Sequence, residues 1–167
     1  MSENLIINRA IIKEVIIPAG IDDAWNAWTS KQGLESFFAP ECHIELELFG
    51  RFEIYFFPDA DSGSKGAEDN IILAVEPNKM FSFTWDAPGN LAEVRKQRTS
   101  VVLKFKKFGK DKTKIFMCHS GWGDGDEWDN AFDYFADAWD VVFKRLVIRF
   151  EDGPIDWEKK DFPQQKD

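Results

Sequence analysis

The feature that most constrains this chain is a long amphipathic helix near its C-terminus, whose apolar face is built largely from aromatic rings. Apolar residues recur there at three- and four-residue steps, and Gly153 with Pro154 ends the pattern. The stripe consists of Trp128, Phe132, Phe135, Trp139, Val142, Leu146 and Phe150. With Asp126 as its predicted N-cap, the helix has about 25 residues and a length of about 37 Å. A stripe this wide requires an apolar partner surface, so we expect the helix to pack against a sheet.

The chain ahead of this helix begins with a strand and two short helices. Residues 11–17 are rich in β-branched side chains, which is typical of a strand. Asp22 or Asp23 is the expected N-cap of a short helix whose apolar residues recur at helical spacing. A second helical turn is predicted over residues 31–38.

The middle of the chain alternates between apolar and polar residues. Residues 43–48 and 52–56 show this period of two and predict two strands joined tightly at Gly50. Further strand pairs are expected over residues 71–86 and 98–119, and the last pair has one apolar and one largely cationic face. Together with the aromatic helix, these strands predict an α+β fold in which a curved antiparallel β-sheet wraps around a long C-terminal α-helix.

Charge and hydropathy exclude several classes of protein. A formal net charge of −9 opposes binding to nucleic acid and to anionic bilayers. No apolar run is long enough for a membrane helix, and the first four residues lack the cationic region of a signal peptide. We therefore expect a cytoplasmic protein without membrane insertion. Cys42 and Cys118 form no Cys-x-x-Cys motif, so neither a disulfide framework nor a zinc cluster is predicted.

Three stretches of the sequence resemble a known family in their order and spacing. They are 24–29 (AWNAWT) with 37–40 (FFAP), 76–79 (EPNK) with 83–85 (FTW), and 119–123 (HSGWG) followed by Trp128, Tyr134, Phe135 and Trp139. In these motifs the chain resembles the START-like (SRPBCC) superfamily, and within it the branch named for the activator of heat-shock-protein-90 ATPase homologue. It departs from that branch at Phe37 and Phe38, where a Trp pair is common.

The resemblance implies a helix-grip (START-like, Bet v-like) fold, with a single START-like domain over residues 1–158 and a polar tail over residues 159–167. The superfamily includes lipid, hormone and polyketide binders and a few cyclases. The eukaryotic activator is similar to this chain only in its C-terminal domain and uses a separate N-terminal domain to bind and stimulate the chaperone. No catalytic residue set belongs to this branch, so none is carried over, and no cofactor is expected.

Aromatic side chains of the sheet and the helix predict the candidate ligand site. Where the sheet curves away from the helix, they are expected to line a mostly apolar pocket. The alternative is that the same rings fill a solid core. The predicted lining residues are Phe37, Phe38, Phe56, Phe83, Trp85, Phe105, Met117, His119, Trp122, Phe135 and Trp139.

His119 is open to three interpretations. It lies at the end of a predicted strand, beside a glycine turn and the start of the long helix. A neutral imidazole there can orient a ligand through a hydrogen bond, act as a general base, or have a purely structural role. Asp86, Glu93 and Arg98, near predicted strand ends, are further candidates for polar contacts.

Two acidic segments have some features of metal sites but do not fit one. His43, Glu45 and Glu47 share one strand face, yet neighbours on one face lie about 7 Å apart, and this face is expected to be solvated. The loop over residues 59–70 lacks the glycine and the bidentate glutamate of a calcium-binding loop. No metal site is predicted.

The sequence favours a non-catalytic module that holds an apolar small molecule between the sheet and the helix. The alternative is a protein-interaction or chaperone-associated module that uses the exposed sheet face or the lysine-rich hairpin around residues 104–114. A cyclase or hydratase with His119 as its base is the third hypothesis. The sequence leaves both a monomer and a homodimer open.

Overall fold

The structure is a computed structural model that describes residues 9–164. Its strands are β1 (Ile11–Ile17), β2 (Glu41–Ile44), β3 (Phe52–Tyr55), β4 (Gly66–Ala67), β5 (Ile72–Glu76), β6 (Met80–Trp85), β7 (Thr99–Lys107) and β8 (Thr113–Ser120). Its helices are α1 (Ile21–Thr29), α2 (Lys31–Glu35), α3 (Ala92–Arg95) and α4 (Asp126–Asp152). The predictions made for the first four residues and for residues 165–167 of the tail lie outside this range.

The strands form two antiparallel sheets, one with the order β1-β8-β7-β6-β5 and one with the order β2-β3-β4. Hydrogen bonds from Phe49 and Phe52 to the carbonyls of Ile72 and Asn70 join the two sheets. The predicted hairpins are present as the pairs β5–β6 and β7–β8. The strict alternation of β7 and β8 buries one face and so fixes their register, whereas the register of β5–β6 shifts between Ile72 and Ala74. The predicted α+β architecture is confirmed.

Helix α4 packs its apolar stripe against the concave side of the sheet layer. Phe135, Trp139, Val142 and Leu146 are buried, as the periodicity predicts. Trp128, near the N-terminus of the helix, is only half-buried. In the part of the chain that the structure describes, no helix is both long and apolar enough to cross a membrane.

The predicted strand over residues 43–48 is wrong beyond its first residues. Strand β2 ends at Ile44, and the side chains of Leu46 and Leu48 are 44% and 62% exposed. The chain turns back here, because the Glu45 N–H donates to the Arg51 carbonyl. The turn requires Gly50, since a Cβ there would lie 2.1 Å from the Glu45 carbonyl oxygen. Alternation alone does not show whether a segment has a partner strand.

The predicted helix starts are also corrected. Gly20 and Gly125 are the N-caps of α1 and α4, so Asp22, Asp23 and Asp126 lie within the first helical turns. Their carboxylates do not cap the helix ends, but at these positions they interact favourably with the helix dipole. The second helix is shorter than predicted, because α2 ends at Glu35 and the chain continues as turns to Phe38.

Candidate functional site

A pocket of about 750 Å³ opens where β6, α4 and the C-terminal segment meet. This volume is typical of pockets that bind small molecules. The lining residues are Phe38, Pro40, Phe56, Phe57, Gly63, Ser64, Gly66, Ala67, Trp85, Asp86, Ala87, Pro88, Gly89, Asn90, Arg95, Tyr134, Phe135, Ala138, Trp139, Val142, Arg145, Trp157, Lys160, Phe162 and Gln164.

Three aromatic rings from different elements form the apolar wall of this pocket. The ring of Phe38 lies 5.8 Å from that of Trp85 and 6.0 Å from that of Trp139, and the two indoles are 5.6 Å apart. Phe38 follows α2, Trp85 ends β6 and Trp139 lies in the middle of α4. Each ring is held by tilted or edge-on contacts, which are favourable arrangements for aromatic pairs.

Small side chains on α4 leave the space that these rings enclose. Ala138 and Val142 line the pocket one helical turn apart, with Trp139 and Phe135 beside them. Gly66 and Ala67 of β4 line the pocket as well, so the smaller sheet also presents only small side chains to it there. The pocket is therefore a consequence of small residues placed between large rings.

A buried ion pair lies at the polar side of the pocket. The Asp86 side chain is 2% exposed, and its carboxylate lies 3.1 Å from the guanidinium of Arg95. The side-chain amide of Asn70 donates to the same carboxylate at 2.9 Å. Desolvation raises the pKa of Asp86 above its usual value, and the contacts with Asn70 and Arg95 oppose that rise.

Arg95 connects this carboxylate to the loop that borders the pocket. Its guanidinium donates to the main-chain carbonyls of Ala87, Gly63 and Gly66. It also lies 3.5 Å from the carboxylate of Glu68. Arg95 therefore holds one edge of the pocket together and is fully engaged by protein groups.

A second arginine, Arg145 of α4, lies on the other side of the pocket. Its guanidinium is 5.5 Å from the ring of Trp157 and 5.1 Å from that of Phe162. Its Nε donates to the carbonyl of Pro163 at 2.7 Å, and one of its terminal nitrogens donates to the carbonyl of Phe38 at 3.4 Å. Desolvation lowers the pKa of Arg145 to about 10, so the side chain stays charged at neutral pH.

The C-terminal segment after α4 folds back to form part of the site. The indole N–H of Trp157 donates to the Glu35 carbonyl at 2.7 Å, and the Ile155 N–H donates to the Ser36 carbonyl at 2.9 Å. Within the predicted polar tail, Phe162 packs its ring 4.9 Å from that of Trp157. Residues of this segment thus line the pocket together with α4.

The structure brings together part of the predicted site. Phe38, Phe56, Trp85, Phe135 and Trp139 line the pocket, together with the polar candidate Asp86. The other predicted residues, Phe37, Phe83, Phe105, Met117, His119 and Trp122, are buried but do not line it. The solid-core alternative therefore describes these six residues, and the pocket alternative describes the region around Phe38, Trp85 and Trp139. The polar candidates Glu93 and Arg98 also lie outside the pocket lining.

The ring of His119 is held by hydrogen bonds to protein side chains, as in a residue with a structural role. Its Nδ1 accepts a hydrogen bond from the indole N–H of Trp139 at 3.0 Å, which assigns the ring hydrogen to Nε2. Nε2 lies 2.6 Å from the hydroxyl of Thr99, which donates in turn to the carbonyl of Trp85. Burial lowers the pKa of His119 to about 3. Both ring nitrogens are therefore occupied, and the imidazole is neutral.

Several pocket residues were missed at the sequence level. For Arg145 a signal existed, because it follows Val142 by three residues and so lies on the apolar side of α4. For Trp157 and Phe162 no local signal existed, since their partners lie far away in the chain. Among residues 9–164, no group of three or more His, Cys, Asp or Glu side chains is placed to hold an ion.

The chain matches a described family and several solved structures. The family described as "Activator of Hsp90 ATPase homolog 1-like protein" matches residues 18–151. Protein MLL2253 from Mesorhizobium loti is similar in structure with a TM-score of 0.70 at 21% identity, over 88% of this chain and 100% of that one. No curated protein sequence matches the chain.

Two further solved structures carry names related to that family. The Aha1 dimer from Colwellia psychrerythraea has a TM-score of 0.63 at 18% identity, over 87% of this chain and 98% of that one. PFC0360w, an HSP90 activator from Plasmodium falciparum, has a TM-score of 0.64 at 14% identity, over 87% of this chain and 97% of that one. At such identities the likeness establishes the fold, and the predicted helix grip is confirmed.

Proposed function

The chain belongs to the family of activator of Hsp90 ATPase homolog 1-like proteins and has its START-like fold, and from this premise we propose that it binds an apolar small molecule in the pocket beside α4. The observation that carries the proposal is the open volume of about 750 Å³ against the rings of Phe38, Trp85 and Trp139. Protein interiors are normally close-packed, so an opening of this size lined by aromatic rings favours a binding role.

The environment of His119 favours binding over catalysis. A general base needs a nitrogen lone pair within reach of the substrate, but the Nδ1 lone pair of His119 accepts from Trp139. The ring is fully buried and lies outside the pocket lining. The cyclase or hydratase hypothesis therefore has no support from the residue on which it depended.

Filling the pocket tests this proposal. We expect Ala138→Trp to weaken binding of the uncharged fluorescent probe N-phenylnaphthylamine by about tenfold or more, because the new indole occupies the volume in which the probe is buried. Probe fluorescence measures the affinity, and circular dichroism checks that the variant is folded. Asp137→Trp is the matched control, since it adds the same side chain to an exposed position on the same helix.

Two outcomes would contradict the proposal. One is failure of the unmodified protein to bind the probe or any member of a panel of neutral lipids and aromatic compounds. The other is unchanged probe affinity in folded Ala138→Trp, because the probe would then bind elsewhere on the protein.

A second candidate function is modulation of an Hsp90-type chaperone, and a charged surface favours it. The hairpin of β7 and β8 carries Lys104, Lys106, Lys107, Lys110, Lys112 and Lys114. All but Lys114 are exposed, on a protein with a net charge of −9. Clustered positive charge of this kind accelerates association with an acidic partner. The family description and the Plasmodium falciparum structure both name Hsp90 activation.

Removing charge from the hairpin tests this second candidate. We expect the protein to raise the ATPase rate of an Hsp90-type chaperone at low salt, and the triple variant of Lys106, Lys107 and Lys110 to Gln to lose most of that increase. Each lysine contributes to long-range attraction, which salt screens. Lys159→Gln, which removes a lysine outside the hairpin, is expected to retain the increase. No change in ATPase rate on adding the unmodified protein would exclude this function.

A further inference from the structure

The pocket contains a buried positive charge that no acidic side chain of the described residues balances. Arg145 is 5% exposed and lines the pocket. Among residues 9–164, no carboxylate lies within 4.0 Å of its guanidinium, although the ion pairs of Arg9, Arg51 and Arg95 are all within that distance. Burying an unpaired charge is costly, so a buried cation of this kind marks a place where an anion is favoured.

The hydrogen bonds that the described residues form with Arg145 use only some of its N–H donors. It donates to two carbonyl oxygens, those of Pro163 and Phe38, and stacks against the rings of Trp157 and Phe162. A guanidinium carries five N–H donors in a planar fork that matches a carboxylate. Within the part of the chain that the structure describes, these two carbonyls leave several donors without a protein acceptor on a side chain that borders open space.

The other charged side chains of the lining are not available to bind an anion. Arg95 is engaged by Asp86 and by three carbonyls, so its charge and donors are used within the protein. Asp86 in turn accepts from Asn70 and Arg95 and so does not supply a free anion to Arg145. Lys160 is exposed and remains hydrated. Arg145 is thus the buried cation of the lining that has no counter-charge among the residues placed by the structure.

We propose that the pocket takes a molecule with an apolar body and a single carboxylate, and that Arg145 binds the carboxylate while the body lies against Phe38, Trp85 and Trp139. The proposal rests on the proposed binding function of this pocket and specifies the chemistry of its ligand. Phe38 links the two parts of the site, because its carbonyl accepts from Arg145 and its ring packs against both indoles. A charge-assisted contact of this kind, formed away from water, gives both affinity and orientation.

Dodecanoate and dodecan-1-ol, which share one alkyl chain, test the proposal on the intact protein. We expect dodecanoate to displace N-phenylnaphthylamine from the unmodified protein with at least about tenfold higher affinity than the alcohol at about pH 7.5, because the acid is then ionised. Arg145→Met is expected to lower the affinity for dodecanoate by about tenfold and to leave the affinity for the alcohol within about twofold. Lys160→Met is the matched control and is expected to retain the preference for the acid.

Arg145→Lys covers the case in which Arg145→Met does not fold, since it keeps a cation on a similar stem. It is expected to retain part of the preference for the acid, because the planar fork is lost while the charge remains. Equal affinities of the unmodified protein for acid and alcohol would overturn the proposal and leave the binding function standing. A preference for the acid that persists in folded Arg145→Met, or that disappears in Lys160→Met, would also overturn it. If neither compound nor the neutral probe binds, the binding function itself fails.

Discussion

Replacing Arg95 with methionine is expected to lower the free energy of unfolding by about 3–5 kcal/mol at neutral pH. The substitution keeps the length and apolar stem of the side chain but leaves the carboxylates of Asp86 and Glu68 without their cation. Both carboxylates are largely buried, with 2% and 10% of their side-chain surface exposed. The hydrogen bonds from Arg95 to the carbonyls of Gly63 and Gly66 are lost as well. Chemical denaturation at about pH 7 measures the change.

The loss from Arg95→Met should be smaller at acidic pH. The pKa of Asp86 is already raised in the folded protein, chiefly by desolvation, and removing Arg95 raises it further. A buried carboxyl group carries no charge, and so no desolvation penalty, while it is protonated. Its burial becomes costly as pH rises from the pKa of the group in the unfolded chain through its raised pKa in the folded protein. The difference in the free energy of unfolding between Arg95→Met and the unmodified protein is therefore expected to grow with pH over that interval.

Two further variants make this prediction specific. Lys96→Met removes the cation of an exposed pair with Glu93 on the same short helix, and no measurable change in stability is expected. Asp86→Asn combined with Arg95→Met is expected to recover part of the lost stability, since the buried charge is removed and the contact with Asn70 can be kept. If Arg95→Met costs no more than Lys96→Met, the buried ion pair does not hold this edge of the pocket.

Periodicity was sufficient to predict the elements that bury one continuous face. Strands β7 and β8 pair without interruption from Ser100 opposite Ser120 to Lys107 opposite Thr113, because a slip of one residue would turn every apolar side chain toward water. The stripe of α4 is equally constrained, since its rings have to meet that face. In both cases the local pattern and the tertiary structure favour the same arrangement.

Periodicity is misleading where the apolar residues of a segment are exposed. Leu46 and Leu48 alternate with acidic residues as a strand would, but they lie in a loop that turns back at Gly50. The decisive contact is between Gly50 and the Glu45 carbonyl. It is a steric requirement of the backbone, and the side-chain pattern carries no information about it.

The pocket was predicted in kind but only partly in position. Alternation shows which face of a strand Phe83 and Trp85 share, but it does not show at which level along the strand the packing opens. Phe83 lies in the filled part and Trp85 borders the open part. The rings of Trp157 and Phe162 reach the site only because the chain folds back after α4. Such long-range placement depends on the whole fold.

His119 makes the stability of the protein depend on pH in a predictable way. Its pKa is lowered by burial to about 3 in the folded protein, whereas an unfolded chain has a histidine pKa of about 6.5. Burial keeps the folded imidazole neutral, and a proton at Nδ1 would also remove the hydrogen bond that this atom accepts from Trp139. The stabilising contribution is therefore fully present above about pH 6.5 and is lost as pH falls toward 3, because the unfolded state takes up the proton first.

The expected size of this effect follows from the two pKa values. Between about pH 7.5 and pH 5.5, proton uptake by the unfolded chain at His119 lowers the free energy of unfolding by about 1 kcal/mol, and the loss grows as pH falls further. Denaturant unfolding across the upper interval measures it before most carboxylates titrate. We expect His119→Gln to be less stable at neutral pH but to lose about 1 kcal/mol less over this interval, because an amide does not titrate.

His43→Gln provides the matched control, since His43 and His119 are the only histidines of the chain. The side chain of His43 is 41% exposed, and its ring is outside the buried network of His119. This control therefore removes a histidine and leaves the buried network of His119 intact. Equal pH dependence of stability in His119→Gln and in the unmodified protein would show that His119 has the same pKa in the folded and the unfolded state. The hydrogen bond from Trp139 would then not hold it neutral, and the structural role assigned to this residue would be wrong.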